Sequence, residues 1–274
     1  MPVMIQISEL SLRDPDGKPL FRDLSFRLPR GEWACLVGPP ERGRALLEVV
    51  CGLRRPDRGQ VLVDDRNVIR LRPEKLRLLH RRLGIVLGDL GLRRRATPEG
   101  CVELKLRALE LPAEEARARA HRVLSLVGLA HGGGTRPGPG PGPAPPPANG
   151  GDTRPARQRV EALDPAERRL LQLAVALCDD PVLLLLDAPL EGLSAPEQRR
   201  YLQVLEDLFL RRRLTILMTA ADPKPLRGTP ARLYALEPER IVPQDDPRDE
   251  PVPGPKGTKA DGPAKPKRKR GRSG

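Results

Sequence analysis

Apolar residues along this 274-residue chain fall into two rhythms. Short runs, alternating or continuous and bounded by turn residues, predict strands over Val3–Leu10, Trp33–Val37, Gln60–Val63, Gly84–Leu87, Val182–Leu186, Thr215–Met218 and Ala231–Leu236. Spacings of three and four predict helices over Ala45–Leu53, Glu74–Arg82, Pro98–Ala108, Glu114–Val127, Pro165–Cys178 and Pro196–Leu210. Strands mixed with longer helices predict an α/β fold around a central, mostly parallel sheet. Short turns between early strands, such as PDGK at 15–18, add an antiparallel piece near the N-terminus.

Two segments stand outside that pattern. Residues 132–151, GGGTRPGPGPGPAPPPANGG, hold almost nothing that can be buried, and their Pro-Gly alternation lacks the three-residue collagen period. A disordered insertion is expected there, and a disordered basic tail over 244–274. The ordered domain is expected to cover 1–243, with a helical subdomain at about 90–178.

Composition changes the picture in three ways. Aromatics make up only 2% of the chain, so Leu, Val, Ala and Ile must build the core. The net charge is +13, of which the stretch from Lys256 onward supplies +7. The run Lys265–Arg272 suits phosphate-bearing polymers or anionic lipid, but it carries no aromatic for base stacking. Cys35, Cys51, Cys101 and Cys178 are scattered without a CxxC pair, which argues against zinc and disulfides and suits a reducing cytosol. The opening MPVMIQISEL has no secretory pattern, and no apolar run approaches the ~20 residues of a membrane span. A cytoplasmic location is expected.

Candidate chemistry sits at two places. Leu36–Leu47 reads LVGPPERGRALL, in which Gly38 and Gly43 keep the spacing of the phosphate-binding loop G-x-x-x-x-G-K-[ST] between a strand and a helix. The stretch Gly38, Pro39, Pro40, Glu41, Arg42, Gly43, Arg44, Ala45 is therefore a degenerate candidate phosphate loop. Arg44 stands in place of the lysine, Ala45 in place of the magnesium-binding hydroxyl, Pro40 has no N–H to offer, and Glu41 adds negative charge. The second place is DAPLEGLS at 187–194, after the apolar run Val182–Leu186. Asp187 is the candidate metal residue, and the next residue, Ala188, cannot accept a proton. No catalytic residue is assigned. His80, His121 and His131 lack ligand spacing, and surface positions are expected for them.

Further landmarks follow in order: CGLRRPDRGQVLVDD (51–65), LRLLHRRLGIVLGDLGL (76–92), LDPAERRLLQLAVALCDDPVLLLLDAPLEGLS (163–194) and TILMTAAD (215–222). Together they resemble the nucleotide-binding domain of ABC transporters, a P-loop NTPase fold, over residues 3 to about 240. Within that family, residues 70–104 look most like FtsE-type cell-division ATPases. The resemblance implies ATP and Mg²⁺ as ligands and an integral-membrane, FtsX-like permease as partner at the inner face of the plasma membrane. It also implies a homo- or heterodimer with another ABC ATPase.

Carried across residue by residue, the family's functional set is mostly replaced. Its magnesium-sensing glutamine corresponds to Gly88. Its LSGGE signature corresponds to Leu163-Asp164-Pro165-Ala166-Glu167, its catalytic glutamate to Ala188, its D-loop aspartate to Ser194 and its switch histidine to Ala221. The adenine-stacking aromatic falls near Arg13-Asp14. Asp164-Pro165-Ala166-Glu167 and Ser194-Ala195-Pro196-Glu197 have the form of helix caps instead. These substitutions argue against ATP and Mg²⁺, so neither is firmly expected. The favoured expectation is a non-hydrolysing scaffold or regulator beside a membrane partner. A working ATP-binding subunit, and a nucleic-acid or anionic-lipid binder using the basic tail, are the alternatives.

Overall fold

A computed structural model describes residues 2–88, 91–130 and 159–244. The expected insertion at 132–151, the basic tail beyond Gln244 and His131 lie outside the described residues.

Four strands form an antiparallel sheet: β1 (Val3–Arg13), β2 (Pro19–Pro29), β4 (Arg58–Val63) and β5 (Arg66–Asn67), ordered β2-β1-β4-β5. The second sheet contains β3 (Trp33–Val37), β6 (Leu83–Val86), β7 (Leu183–Leu186), β8 (Thr215–Ala220), β9 (Arg232–Leu236) and β10 (Ile241–Pro243). Its order is β10-β9-β3-β8-β7-β6, parallel throughout except for β10 at the edge. The helices are α1 (Pro40–Val50), α2 (Pro73–His80), α3 (Pro98–Ala108), α4 (Ala113–Leu126), α5 (Pro165–Ala176) and α6 (Ala195–Arg212). The expected α/β class, parallel sheet and antiparallel N-terminal piece are all present.

Strand β7 shows why the parallel sheet reads as an unbroken apolar run. A strand points alternate side chains to opposite faces, and here both faces are covered. Leu184 and Leu186 enter the core shared with α3–α6, whereas Leu183 and Leu185 enter the core beneath α1 and the antiparallel sheet. With few aromatics available, Trp33 anchors the first core, fully buried, its Nε1–H lying 3.2 Å from Met218 Sδ.

Three differences from the sequence expectations have local causes. Strand β2 is absent from the predicted set because its alternation breaks at Phe21–Asp23, where Asp23 takes φ 48° and the register against β1 shifts. Helix α1 starts at Pro40 rather than Ala45, a full turn inside the candidate phosphate loop. His80 is half-buried rather than at the surface, with Nε2 2.7 Å from the Cys51 carbonyl at the end of α1. No described helix is long and apolar enough to cross a membrane.

Candidate functional site

The end of β3 feeds α1 directly. Pro39 is the N-cap at φ −57°, ψ 133°, and Pro40 occupies the first helical turn, where its fixed φ suits a helix and its missing N–H costs nothing. The consequence falls on the backbone donors. Gly38 N–H donates to Ala220 O at 3.2 Å, and Arg42 and Gly43 N–H both donate to Pro39 O at 3.1 Å. Pro39 and Pro40 have no N–H. Of Gly38–Gly43, only Glu41 keeps an uncommitted amide. A phosphate cradle needs several convergent N–H groups, and this stretch has spent them on starting a helix.

Both retained glycines are explained by packing. A Cβ on Gly43 would meet Thr219 Cγ2 at 2.9 Å, and one on Gly38 would meet Leu236 O at 3.0 Å. They let α1 and the β3 end approach β8 and β9 closely. Arg44 Nε lies 3.2 Å from Glu48 Oε1, and its guanidinium lies against Gly88. Ala45 is buried in the core.

Asp187 lies where the register of β7 and β8 sets it beside Thr219. Thr219 Oγ1 donates to Asp187 Oδ1 at 2.9 Å and accepts the Ala188 N–H at 2.9 Å. Asp187 N–H donates to Val86 O at 2.9 Å. This relay ties together β6, β7 and β8 and holds Ala188 at φ 41°, a left-handed conformation that alanine adopts at a cost. Neither Ala45 nor Gly88 adds an oxygen beside Asp187. Among the described residues no group of three or more His, Cys, Asp or Glu is placed to hold a metal ion. The residues present do not fit a magnesium–nucleotide group.

The remaining positions have also become structural. At α5, Glu167 N–H donates to Asp164 Oδ1 at 2.7 Å and Asp164 N–H to Glu167 Oε2 at 3.2 Å, a reciprocal capping box with Pro165 just inside it. At α6, Ser194 N–H donates to Glu197 Oε2 at 2.7 Å, and the Ser194 hydroxyl and amide hold the Glu197 carboxyl below its usual range. Asp222 Oδ1 accepts the Lys224 N–H, and Asp14 Oδ1 accepts the Lys18 N–H inside the 15–18 hairpin. Glu191 is exposed. The cysteines are free and buried, and burial pushes the Cys35 and Cys178 thiols up to about 12, so neither is a ready nucleophile.

A cavity of about 220 Å³ opens over this region, lined by Gly38, Pro40, Ala188, Thr219, Ala221 and Asp222 among others. Ala188 and Ala221 present methyl groups there, and Glu191 and Asp222 are the carboxylates on its lining. Sequence reasoning missed Thr219, which reads as an ordinary β-branched strand residue until its neighbour across the sheet is known. It also missed Gln172, a polar residue in the apolar run of α5 that is buried at 3% exposure.

A family model described as ABC transporter matches residues 21–191. Among relatives, the methionine import ATP-binding protein MetN of Rhizobium johnstonii is 28% identical over 220 residues, 80% of this chain and 54% of its own length. That of Thermobifida fusca is 32% identical over 198 residues, 72% of this chain and 54% of its own length. The chain thus spans about half the length of these curated relatives. Among solved structures, the dimeric ATP-binding cassette MJ0796 in a post-hydrolysis state bound to ADP and Pi has a TM-score of 0.69 at 19% identity, covering 87% of this chain and 96% of that one. The cbiO1 subunit from Clostridium perfringens, part of a cbiONQ transporter complex, has a TM-score of 0.71 at 19% identity, with 90% of each chain covered. At that identity these likenesses concern the fold.

Proposed function

The chain belongs to the ABC transporter family, and on that premise we propose that it is a cassette subunit of a membrane transport complex whose own phosphate loop does not turn ATP over. It would dock on an integral-membrane permease-like subunit at the inner face of the membrane and pair with another cassette that supplies hydrolysis. The transport half follows the relatives, which are named methionine import ATP-binding proteins. Those names favour an import complex over both the cell-division role that residues 70–104 resemble and a free-standing scaffold.

The non-hydrolysing half rests on one observation. Helix α1 begins at Pro40, which commits the Arg42 and Gly43 amides to Pro39 O and leaves no cradle for a triphosphate. The competing reading is a self-sufficient ATP-hydrolysing subunit, favoured by the ATP-binding names of the same relatives.

Phosphate release and equilibrium binding with Mg-ATP, measured on the full chain, separate the two. The expected result is release indistinguishable from an inert protein and no saturable binding in the micromolar range. Turnover on the order of 1 s⁻¹ that disappears in Asp187→Ala establishes the competing reading instead. For the transport half, the chain is expected to co-purify from detergent-solubilised membranes with a permease and a second cassette. Recovery with neither, at stoichiometric yield of the chain, removes it.

A further inference from the structure

Positive charge on the described surface is gathered in one place. Residues 52–82 carry ten Lys or Arg against four Asp or Glu, whereas the rest of the described residues carry 27 against 25. The excess of cations therefore belongs to this one stretch, which holds the turn after α1, strands β4 and β5, and helix α2. Two of the ten are committed, Arg54 to Glu48 and Arg82 to Asp64. The other eight are exposed, and no side-chain hydrogen bond or ion pair ties any of them to another described residue.

Helix α2 lies against the turn that follows α1. His80 Nε2 is 2.7 Å from Cys51 O, and a Cβ on Gly52 would meet Leu76 Cδ1 at 2.9 Å. Leu76, Leu79 and His80 therefore face the protein. The outer side of α2 presents Lys75 and Leu78 three residues apart, with Arg81 a further three on, just past its end, and Arg77 beside them. Two large apolar side chains stand out of this basic surface. Leu78 is 48% exposed, and Leu53, directly before Arg54-Arg55, is 63% exposed. Folding covers neither, and neither lines the cavity over Thr219.

We propose that this surface rests on the anionic face of a lipid bilayer, with its cations on phosphate headgroups and Leu53 and Leu78 at the acyl boundary. Lys and Arg lay their apolar stems along such a boundary while their charged ends stay among the headgroups. The attraction needs no pocket, because each cation near an anionic bilayer adds separately, about fivefold in affinity apiece. A partner helix would instead require an apolar groove, whereas Leu78 stands among charged residues on the outer side of α2. Nucleic acid would engage the cations and leave both leucines in water. The inference is independent of the proposed cassette role and of whether the phosphate loop binds nucleotide.

Flotation of the full chain with vesicles of equal parts phosphatidylglycerol and phosphatidylcholine tests it, with phosphatidylcholine vesicles as the neutral control. Binding is expected to the anionic vesicles alone. It is expected to fall as salt rises from about 0.1 M to about 1 M, where the screening length shrinks from ~10 Å to ~3 Å. Lys75→Glu, Arg77→Glu and Arg81→Glu together are expected to weaken it about tenfold or more. Leu78→Gln, which changes no charge, is expected to weaken it about fivefold. All four side chains are exposed, so neither variant disturbs the core. The run Lys265–Arg272 brings cations of its own, so both variants are repeated in a full chain with Lys265→Gln, Lys267→Gln and Lys269→Gln, where the same losses are expected. Equal binding to neutral vesicles, or binding to neither kind, overturns the proposal. So does undiminished binding by the triple Glu variant in the chain with the neutralised tail. Full binding by Leu78→Gln also overturns it, and competition by duplex DNA in that case identifies a nucleic-acid surface.

Discussion

At the scale of single residues, the sequence positions that look most like chemistry are held by packing and strain. Ala188 is the clearest case. It occupies φ 41° because its N–H is tied to Thr219 Oγ1, and no side chain there gains anything from the conformation. Ala188→Gly is therefore expected to raise stability by about 0.5–1 kcal/mol in denaturant melts. Asp64 carries the main acid sensitivity that the structure identifies. Its carboxylate is 8% exposed and lies 2.7 Å from both Arg30 Nη2 and Arg82 Nε. Burial pushes its carboxyl up, but hydrogen bonds and charge from Arg30 and Arg82 together outweigh that and hold it below the usual range. A depressed carboxyl stabilises the fold above its unfolded value of about 4, and that contribution is lost as pH falls through the folded value. Asp64→Asn keeps the φ 49° backbone, which asparagine tolerates, and is expected to cost about 1–2 kcal/mol at neutral pH. Melts from pH 7 down to 2 are expected to show wild type and variant converging. A gap that stays constant with pH removes the assignment. Tyr201 is a third test. Its hydroxyl is buried without a hydrogen-bond partner among the described residues and burial pushes the phenol up, so Tyr201→Phe is expected to be neutral or to stabilise by about 1 kcal/mol.

At the scale of elements, helix starts were the most legible feature. Pro98–Ala108 is observed with its predicted bounds, and α5 begins at the predicted Pro165. The reason is local: a capping side chain (Thr97 or Asp164), a proline at the first helical position and a glutamate in the first turn act within a single turn, so no distant contact is needed to read them. The α5 cap makes a quantitative prediction. Asp164→Ala is expected to cost 0.5–2 kcal/mol, with Asp164→Ser nearly neutral. If Asp164→Ala instead leaves stability unchanged while altering nucleotide affinity, the cap is not what holds this residue. The opposite lesson comes from α1. The same proline logic applied at Pro39-Pro40 predicts an early helix start, but the Gly38–Gly43 spacing drew the reading toward a loop. Strand β2 was hidden because a bulge destroys the two-residue rhythm by which strands are recognised.

At the scale of the whole molecule, the features behind the proposed non-hydrolysing role are distributed, and a single substitution is expected not to change the outcome. Ala188→Glu restores a base beside Asp187, yet the Arg42 and Gly43 amides stay committed to Pro39 O. The phosphate-release rate of this variant is expected to equal that of wild type. A gain to the order of 1 s⁻¹ means that α1 opens to admit phosphate. The sequence by itself determined the α/β class, the parallel sheet, the helix caps and the family, because each rests on periodicity or on contacts within a few residues. Only the tertiary structure decided what holds the candidate site residues. Gly43 is kept by contact with Thr219, and Asp187 by the Thr219 hydroxyl. Each of these depends on residues dozens of positions apart meeting across the sheet or between a helix and a strand, and no local pattern along the chain encodes which partners those are.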